Sequence, residues 1–249
     1  MSAPTNAALA LFVVDVGHQD FVNKTNELSF SNALRGATLN LSNSVVECYV
    51  KGGRAVAMMN CMDPNRIPRL ARLILDPTLA RERTREINAA LNTVASQLAA
   101  KYPDLRLWRI DIFALFDAMV TNPDHFGFTR TDLGALEDPQ LTNRSYQGPG
   151  KEYMFWDSNH LTAKGHTLLA KVFFAALRGS SLSINRETSG FRVVFDCLQI
   201  GKTYHVQQSV NLLHWEEFAS FCALDSGWEQ EVPSSSTWCF FRLFCPLEF

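Results

Sequence analysis

Three short apolar runs, each followed by a helical stretch, set what the first half of this chain can become. Residues 9–16, Leu-Ala-Leu-Phe-Val-Val-Asp-Val, run almost wholly apolar into Gly17. A strand exposed on one face would alternate polar and apolar residues, so this run reads as a buried parallel strand. Residues 29–50 contain no Pro, mix small and apolar positions and close at Lys51-Gly52-Gly53, which predicts a helix. Residues 54–60 give a second buried strand. Beyond a loop holding Pro64, Pro68 and Pro77, the residues Ile87, Leu91, Val94 and Leu98 recur at helical spacing along a long helix. The charge run from Arg81 to Glu86 opens that helix and reads as its solvated face. Residues 105–110 supply a third strand and lead into a helix over 111–120. Such alternation predicts an α/β fold, a parallel sheet with helices on both faces, in which ligands gather at the carboxyl ends of the strands.

The chemistry concentrates later, in Phe155-Trp156-Asp157-Ser158-Asn159-His160. An Asp three positions before a His lets the carboxylate reach Nδ1 within one turn, fixing the tautomer and leaving Nε2 as a general base. Thr162 suits an N-cap, and Leu168, Leu169, Val172, Phe173 and Ala176 then form the apolar stripe of a following helix. A metal site is not expected, since His160 and His166 lack the i, i+4 spacing of a helical chelate, and no cofactor is called for. No G-x-S-x-G nucleophile motif is present. The glycine- and proline-bearing stretch 122–153 reads as one long loop, a functional feature in a compact domain.

The wording around the Asp-His pair carries a resemblance. Tyr153-Met154-Phe155-Trp156-Asp157-Ser158-Asn159-His160-Leu161-Thr162, with His166 following, closely resembles the last conserved block of GDSL-type (SGNH) lipases and esterases, F-W-D-x-x-H-P-T, with Leu161 in the Pro position. Residues 11–21 resemble that family's G-x-N-D block, and residues 113–129, through Asn122-Pro123 to Phe126-Gly127-Phe128-Thr129, resemble its N-P-x-x-y-G-F-T segment. The three pieces occur in family order and span residues 9 to about 178. The resemblance implies a three-layer SGNH domain and hydrolysis of a small-molecule or lipid-like ester by a Ser-His-Asp mechanism. His160 would be the base and Asp157 its orienter. Gln19 would stand in the oxyanion slot that the family fills with Asn, and Gly17, Asp20 and Trp156 would line the site, with the 122–153 stretch as a substrate wall. The extra methylene of Gln19 displaces its amide, and losing an oxyanion donor costs roughly 10²- to 10³-fold in rate. In that family the G-D-S-L serine and an oxyanion glycine precede G-x-N-D, and neither block occurs here. The expectation is therefore a domain lacking its N-terminal strand or strands and inactive as it stands. The alternative is a non-catalytic scaffold acting through its C-terminal segment.

That segment differs in composition. Residues 180–249 hold twelve of the twenty-eight aromatic residues and sum to a charge of −4, four basic against eight acidic, while residues 1–179 sum to +2. Short strands are predicted at 191–195, 204–209 and 239–244, separated by turn signals. The stretch 201–215, with Phe241-Arg242-Leu243, resembles small β-sandwich modules at the C-termini of exported bacterial proteins. Two domains are expected, 1–179 and 180–249, the second a small all-β module with Trp215, Trp228 and Trp238 in its core and possible polymer or surface binding. The formal charge of −2 gives no electrostatic case for nucleic acid. No run of eighteen apolar residues predicts a transmembrane segment. The N-terminus does not read as a signal peptide; the resemblance suggests export, so the compartment stays open. The six cysteines show no metal-ligand spacing, and the sequence favours neither pairing nor free thiols.

Overall fold

The computed structural model describes residues 7–17, 26–188, 190–233 and 240–246. Three strands, β1 (Leu11–Val14), β2 (Ala55–Met59) and β3 (Arg106–Ile110), form a parallel sheet in the order β1-β2-β3. The crossovers are helices. Helix α1 (Glu27–Val50) starts where the Asn26 side chain accepts the Ser29 amide at 2.8 Å, and α3 (Pro77–Lys101) starts where Asp76 accepts from Leu79 at 3.0 Å. Both are side-chain N-caps that satisfy an otherwise orphaned donor. Phe30, Ala37, Leu41 and Val45 of α1 and Ile87, Leu91, Ala95 and Leu98 of α3 pack with Val14, Val56 and Met58 into one core. Ala55 and Ala57 point to the opposite face and are buried too, so β2 is covered on both sides.

β1 departs from the expectation. It pairs only with β2 among the described residues, and Leu11 and Val13 are 43% and 54% exposed. It is an edge strand buried on one face, because apolar composition alone does not say whether a second layer covers the other.

Between β2 and α3 lie a short 3-10 turn (Pro64–Arg66) and the helical turn α2 (Pro68–Ala71). After β3, Asp111 caps α4 (Ile112–Thr121) by accepting the Ala114 amide at 2.9 Å. The stretch read as one long loop contains a strand, β4 (Arg130–Gly134), which pairs in parallel with β5 (Tyr153–Phe155). Helix α5 follows over Ala163–Arg178. The charge run at the start of α3 is not a solvated face throughout. Arg83 is 4% exposed beneath an ion pair to Glu27, and Arg81 bridges Asp63 and Asp117. Apolar stems let Arg enter a core when carboxylates meet the guanidinium.

Proximity of Cα atoms divides the chain into two compact units, one reaching Thr167 and the other beginning at Leu168. The division thus falls within α5, whose second half groups with the β-rich remainder. In that second unit β6 (Ser181–Glu187), β7 (Gly190–Asp196) and β10 (Gly227–Pro233) form an antiparallel sheet in the order β10-β7-β6, and β8 (Thr203–Ser209), β9 (Glu216–Cys222) and β11 (Phe240–Phe244) form another in the order β11-β8-β9. Val193, Phe195, Tyr204, Val206 and Val232 from both sheets share one core, with Trp228 stacked on Phe221 at 5.0 Å. The class is therefore α/β with a parallel sheet, followed by antiparallel sheets. Of the tryptophans expected in that core, Trp228 belongs to it. Trp215 lies against Arg242 instead, and Trp238 falls outside the described residues.

Candidate active site

The Asp-x-x-His loop is the link from β5 to α5, and its two ends are pinned before its side chains matter. Phe155 bridges to Leu161, the Trp156 amide donates to the His160 carbonyl at 2.7 Å, and the Thr162 amide donates to the Met154 carbonyl at 3.0 Å. Thr162 is buried. Its hydroxyl donates to the Tyr153 carbonyl at 2.8 Å, and its carbonyl accepts the His166 amide at 2.9 Å as α5 begins. Residues 157–160 therefore form a tight excursion on a closed base.

Within it the Asp157 carboxylate is the organiser. Oδ1 accepts the backbone amides of Asn159 at 2.8 Å and His160 at 2.7 Å, and Oδ2 lies 2.8 Å from His160 Nδ1. Partial burial pushes the carboxyl's pKa up, but the His160 ring bond, the two amide donors and the His160 charge outweigh it and hold Asp157 below the usual carboxylate range. In the neutral ring, a carboxylate kept ionised there favours the tautomer with the proton on Nδ1 and makes Nε2 the acceptor. The His160 side chain is 72% exposed.

Two contacts hold the loop from outside, and the sequence alone signals neither. The Ser158 carbonyl accepts the backbone amide of Arg69 at 2.8 Å, tying the loop to α2. Gly134, the last residue of β4, lies flat against Asp157: a Cβ there would stand 2.3 Å from the Asp157 carbonyl carbon and 2.5 Å from its oxygen. The amides of Ala135 and Leu136 then donate to the carbonyls of Phe155 and Trp156 at 3.0 and 2.9 Å. In the sequence Gly134 is one of several glycines in an apparent loop, and only the β4–β5 pairing gives it a neighbour.

Among the described residues the other candidates are Trp156 and Gly17. Trp156 packs against a small cluster of Ala135, Leu141 and Tyr153, and its indole stacks on Tyr146 at 5.0 Å. It anchors the 134–153 segment. Gly17 follows β1 at φ +92°, buried beside Cys61, Ala37 and Ile87. That backbone conformation favours glycine, and an added Cβ would meet Cys61 Sγ at 3.1 Å. Gln19, Asp20 and the neighbouring His18 lie outside the described residues. No group of three or more His, Cys, Asp or Glu side chains able to hold a metal occurs among the described residues.

Comparison with known proteins agrees with the family resemblance. The family described as GDSL-like Lipase/Acylhydrolase matches residues 3–173. A GDSL esterase/lipase of Arabidopsis thaliana is 24% identical over 197 residues, covering 71% of this chain and 50% of its own length. Another from the same plant is 22% identical over 194 residues, covering 69% and 53%. A third is 30% identical over 100 residues, covering 37% and 28%. The chain thus spans about half or less of the length of these relatives, which are plant proteins rather than bacterial ones. With the family matched across more than half of its residues, this chain belongs to the GDSL-like lipases and acylhydrolases.

Proposed function

We propose that the chain carries the base half of an acyl-ester hydrolase. The supporting observation is the 2.8 Å contact between Asp157 Oδ2 and His160 Nδ1, with the His160 side chain 72% exposed. In this reading a serine hydroxyl attacks the acyl carbon of the ester and His160 Nε2 takes its proton. The C–O bond to the alcohol then breaks as His160 returns that proton to the leaving oxygen. Water repeats the sequence on the acyl-serine and releases the acid. Asp157 stabilises the imidazolium that forms in both halves. Gln19 would donate its amide to the oxyanion. The substrate class, a small or lipid-like ester, follows from the family.

The serine belongs to a G-D-S-L block in whole members of the family, and among the described residues no serine hydroxyl is hydrogen-bonded to His160 Nε2. The chain by itself is therefore inactive in this reading. The test is turnover of a short-chain p-nitrophenyl ester by this polypeptide, with and without a supplied segment bearing the G-D-S sequence and the oxyanion glycine. Turnover appearing only with that segment, and blocked by a serine-directed phosphonate, supports the reading. Enzyme-rate turnover by the chain alone, insensitive to the phosphonate, overturns it.

A further inference from the structure

The turn joining β8 to β9 is built in an unusual way for an exposed loop. Val210, Leu212 and Leu213 are 64%, 54% and 80% exposed, while the backbone amides beneath them have partners within the turn. Ser209 Oγ accepts the amides of Asn211 and Leu212 at 3.3 and 2.9 Å, and Asn211 Oδ1 accepts those of Leu213 and His214 at 2.9 and 3.0 Å. The Trp215 indole N–H donates to the Leu212 carbonyl at 3.1 Å. Leu212 sits at φ +64°, a left-handed conformation that a branched side chain adopts only when its surroundings impose it. The loop is thus fixed with its apolar side chains outward and four consecutive amides satisfied from within. Behind it the Arg242 guanidinium lies 4.1 Å from the Trp215 ring centroid and donates to Gln207 at 2.7 Å.

We propose that this turn is a lipid-insertion tip, with Val210, Leu212 and Leu213 entering the surface of a zwitterionic lipid layer and Trp215 and Arg242 resting at headgroup level. Satisfied backbone donors answer the N–H part of the condition that hydrocarbon imposes and water does not, and the carbonyls of so short a tip can stay at headgroup level. An amphipathic indole next to a cation suits the boundary between the two phases. Three side chains on a convex turn fall well short of the roughly 1,000 Å² that a stable protein interface needs, whereas lipid can close around a small protrusion. The choice of zwitterionic lipid follows from charge. Residues 180–249 sum to −4 from four basic and eight acidic side chains, and Glu216 and Glu217 directly follow Trp215, so an anionic surface would repel this unit.

The test uses the whole chain and no activity, so it stands apart from the hydrolase reading. Flotation with phosphatidylcholine vesicles should carry the protein upward, and Leu213→Ser and Val210→Ser should each weaken partitioning about tenfold, the cost of one lost aliphatic insertion. Leu75→Ser, at a side chain 88% exposed outside this turn, should change nothing. Vesicles of brominated phosphatidylcholine should quench tryptophan emission, and Trp215→Phe should remove that quenching. Failure to float, equal flotation of Leu213→Ser, or binding only to phosphatidylserine vesicles overturns the proposal. A dimer abolished by Leu213→Ser without any vesicle binding assigns the turn to a second copy and overturns it equally.

Discussion

Gly134 lies so close to the backbone of Asp157 that no side chain fits between them, a Cβ being placed 2.3 Å from the Asp157 carbonyl carbon. Both partners are backbone and can yield only by moving the β4–β5 pair or the loop that carries His160. Gly134→Ala should therefore destabilise the first unit by about 1–3 kcal/mol, as overpacking does. Urea titration followed by tryptophan emission measures this. In a protein supplied with its serine, the same change should cost about 10²-fold in turnover through misplacement of the base. Unchanged stability and turnover would mean that the contact relaxes freely.

The Asp157–His160 pair predicts a second series, again with the serine supplied. His160→Ala should lower turnover about 10⁴-fold or more, and Asp157→Asn by a comparable factor, since an amide favours the wrong tautomer of the ring. Asp157→Asn should also remove the downfield Nδ1 proton of His160 from the NMR spectrum. Gln19→Asn should raise turnover if the longer amide is misplaced in the oxyanion site. A residual rate in Asp157→Asn within tenfold of the parent would remove Asp157 from the mechanism.

Acid should loosen the carboxylate clasp of the first unit. Asp117 accepts from Arg81 and from Arg66, the latter at 2.9 Å, while Asp63 accepts from Arg81 at 2.5 Å. Burial raises the pKa of Asp117, and the two guanidinium bonds and charges more than reverse it, so the group stays below its ordinary value. A carboxylate with a depressed folded pKa contributes stability that is complete above the unfolded value and disappears as pH falls through the folded one. Thermal melts should hold steady near neutrality and decline below about pH 4. Asp117→Asn should lower stability at pH 7 by about 1–3 kcal/mol and flatten the acid decline. Parallel pH profiles for the two proteins would contradict this assignment.

The exposed face of β1 predicts poor behaviour in solution. Leu11 and Val13 are 43% and 54% exposed on a strand that pairs on one side only among the described residues, and Leu9 in the turn before it is 86% exposed, a combination that invites edge-to-edge association. Val13→Lys should raise the soluble yield and shift sedimentation toward a single monomeric species without lowering the melting temperature. A parent chain that is already monomeric at high concentration would count against the idea.

Proteolysis tests the division of the chain. We propose a boundary at 179/180. Gly179 leaves α5 at φ +75° and is exposed, but β6 pairs with β7 from Ser181 onward. Limited trypsin should cut after Arg178 and release a stable fragment beginning at Gly179. First cuts inside residues 190–245 would place the boundary elsewhere.

What the sequence decided by itself is what depends on near neighbours along the chain. The stripe of Ile87, Leu91 and Leu98 is buried along α3, the apolar run of β2 is buried on both faces, and Asp157 meets His160 within one turn, because each of these follows from helical, strand or turn spacing. Family membership was likewise legible, in short motifs kept in order. Tertiary structure decided the rest. β1, as apolar as β2, became a half-exposed edge because burial is set by which layers arrive. β4 was hidden in a glycine-rich stretch because its pairing partner β5 lies beyond a loop, and with it went the role of Gly134. Strands β6, β9 and β10 escaped notice because their burial patterns are mostly exposed, leaving no apolar run to read. Arg81 and Arg83 turned inward because Asp63, Asp117 and Glu27 came to meet them. Spacing along a chain records which residues can share a face; whether another element covers that face is settled only when distant segments pack.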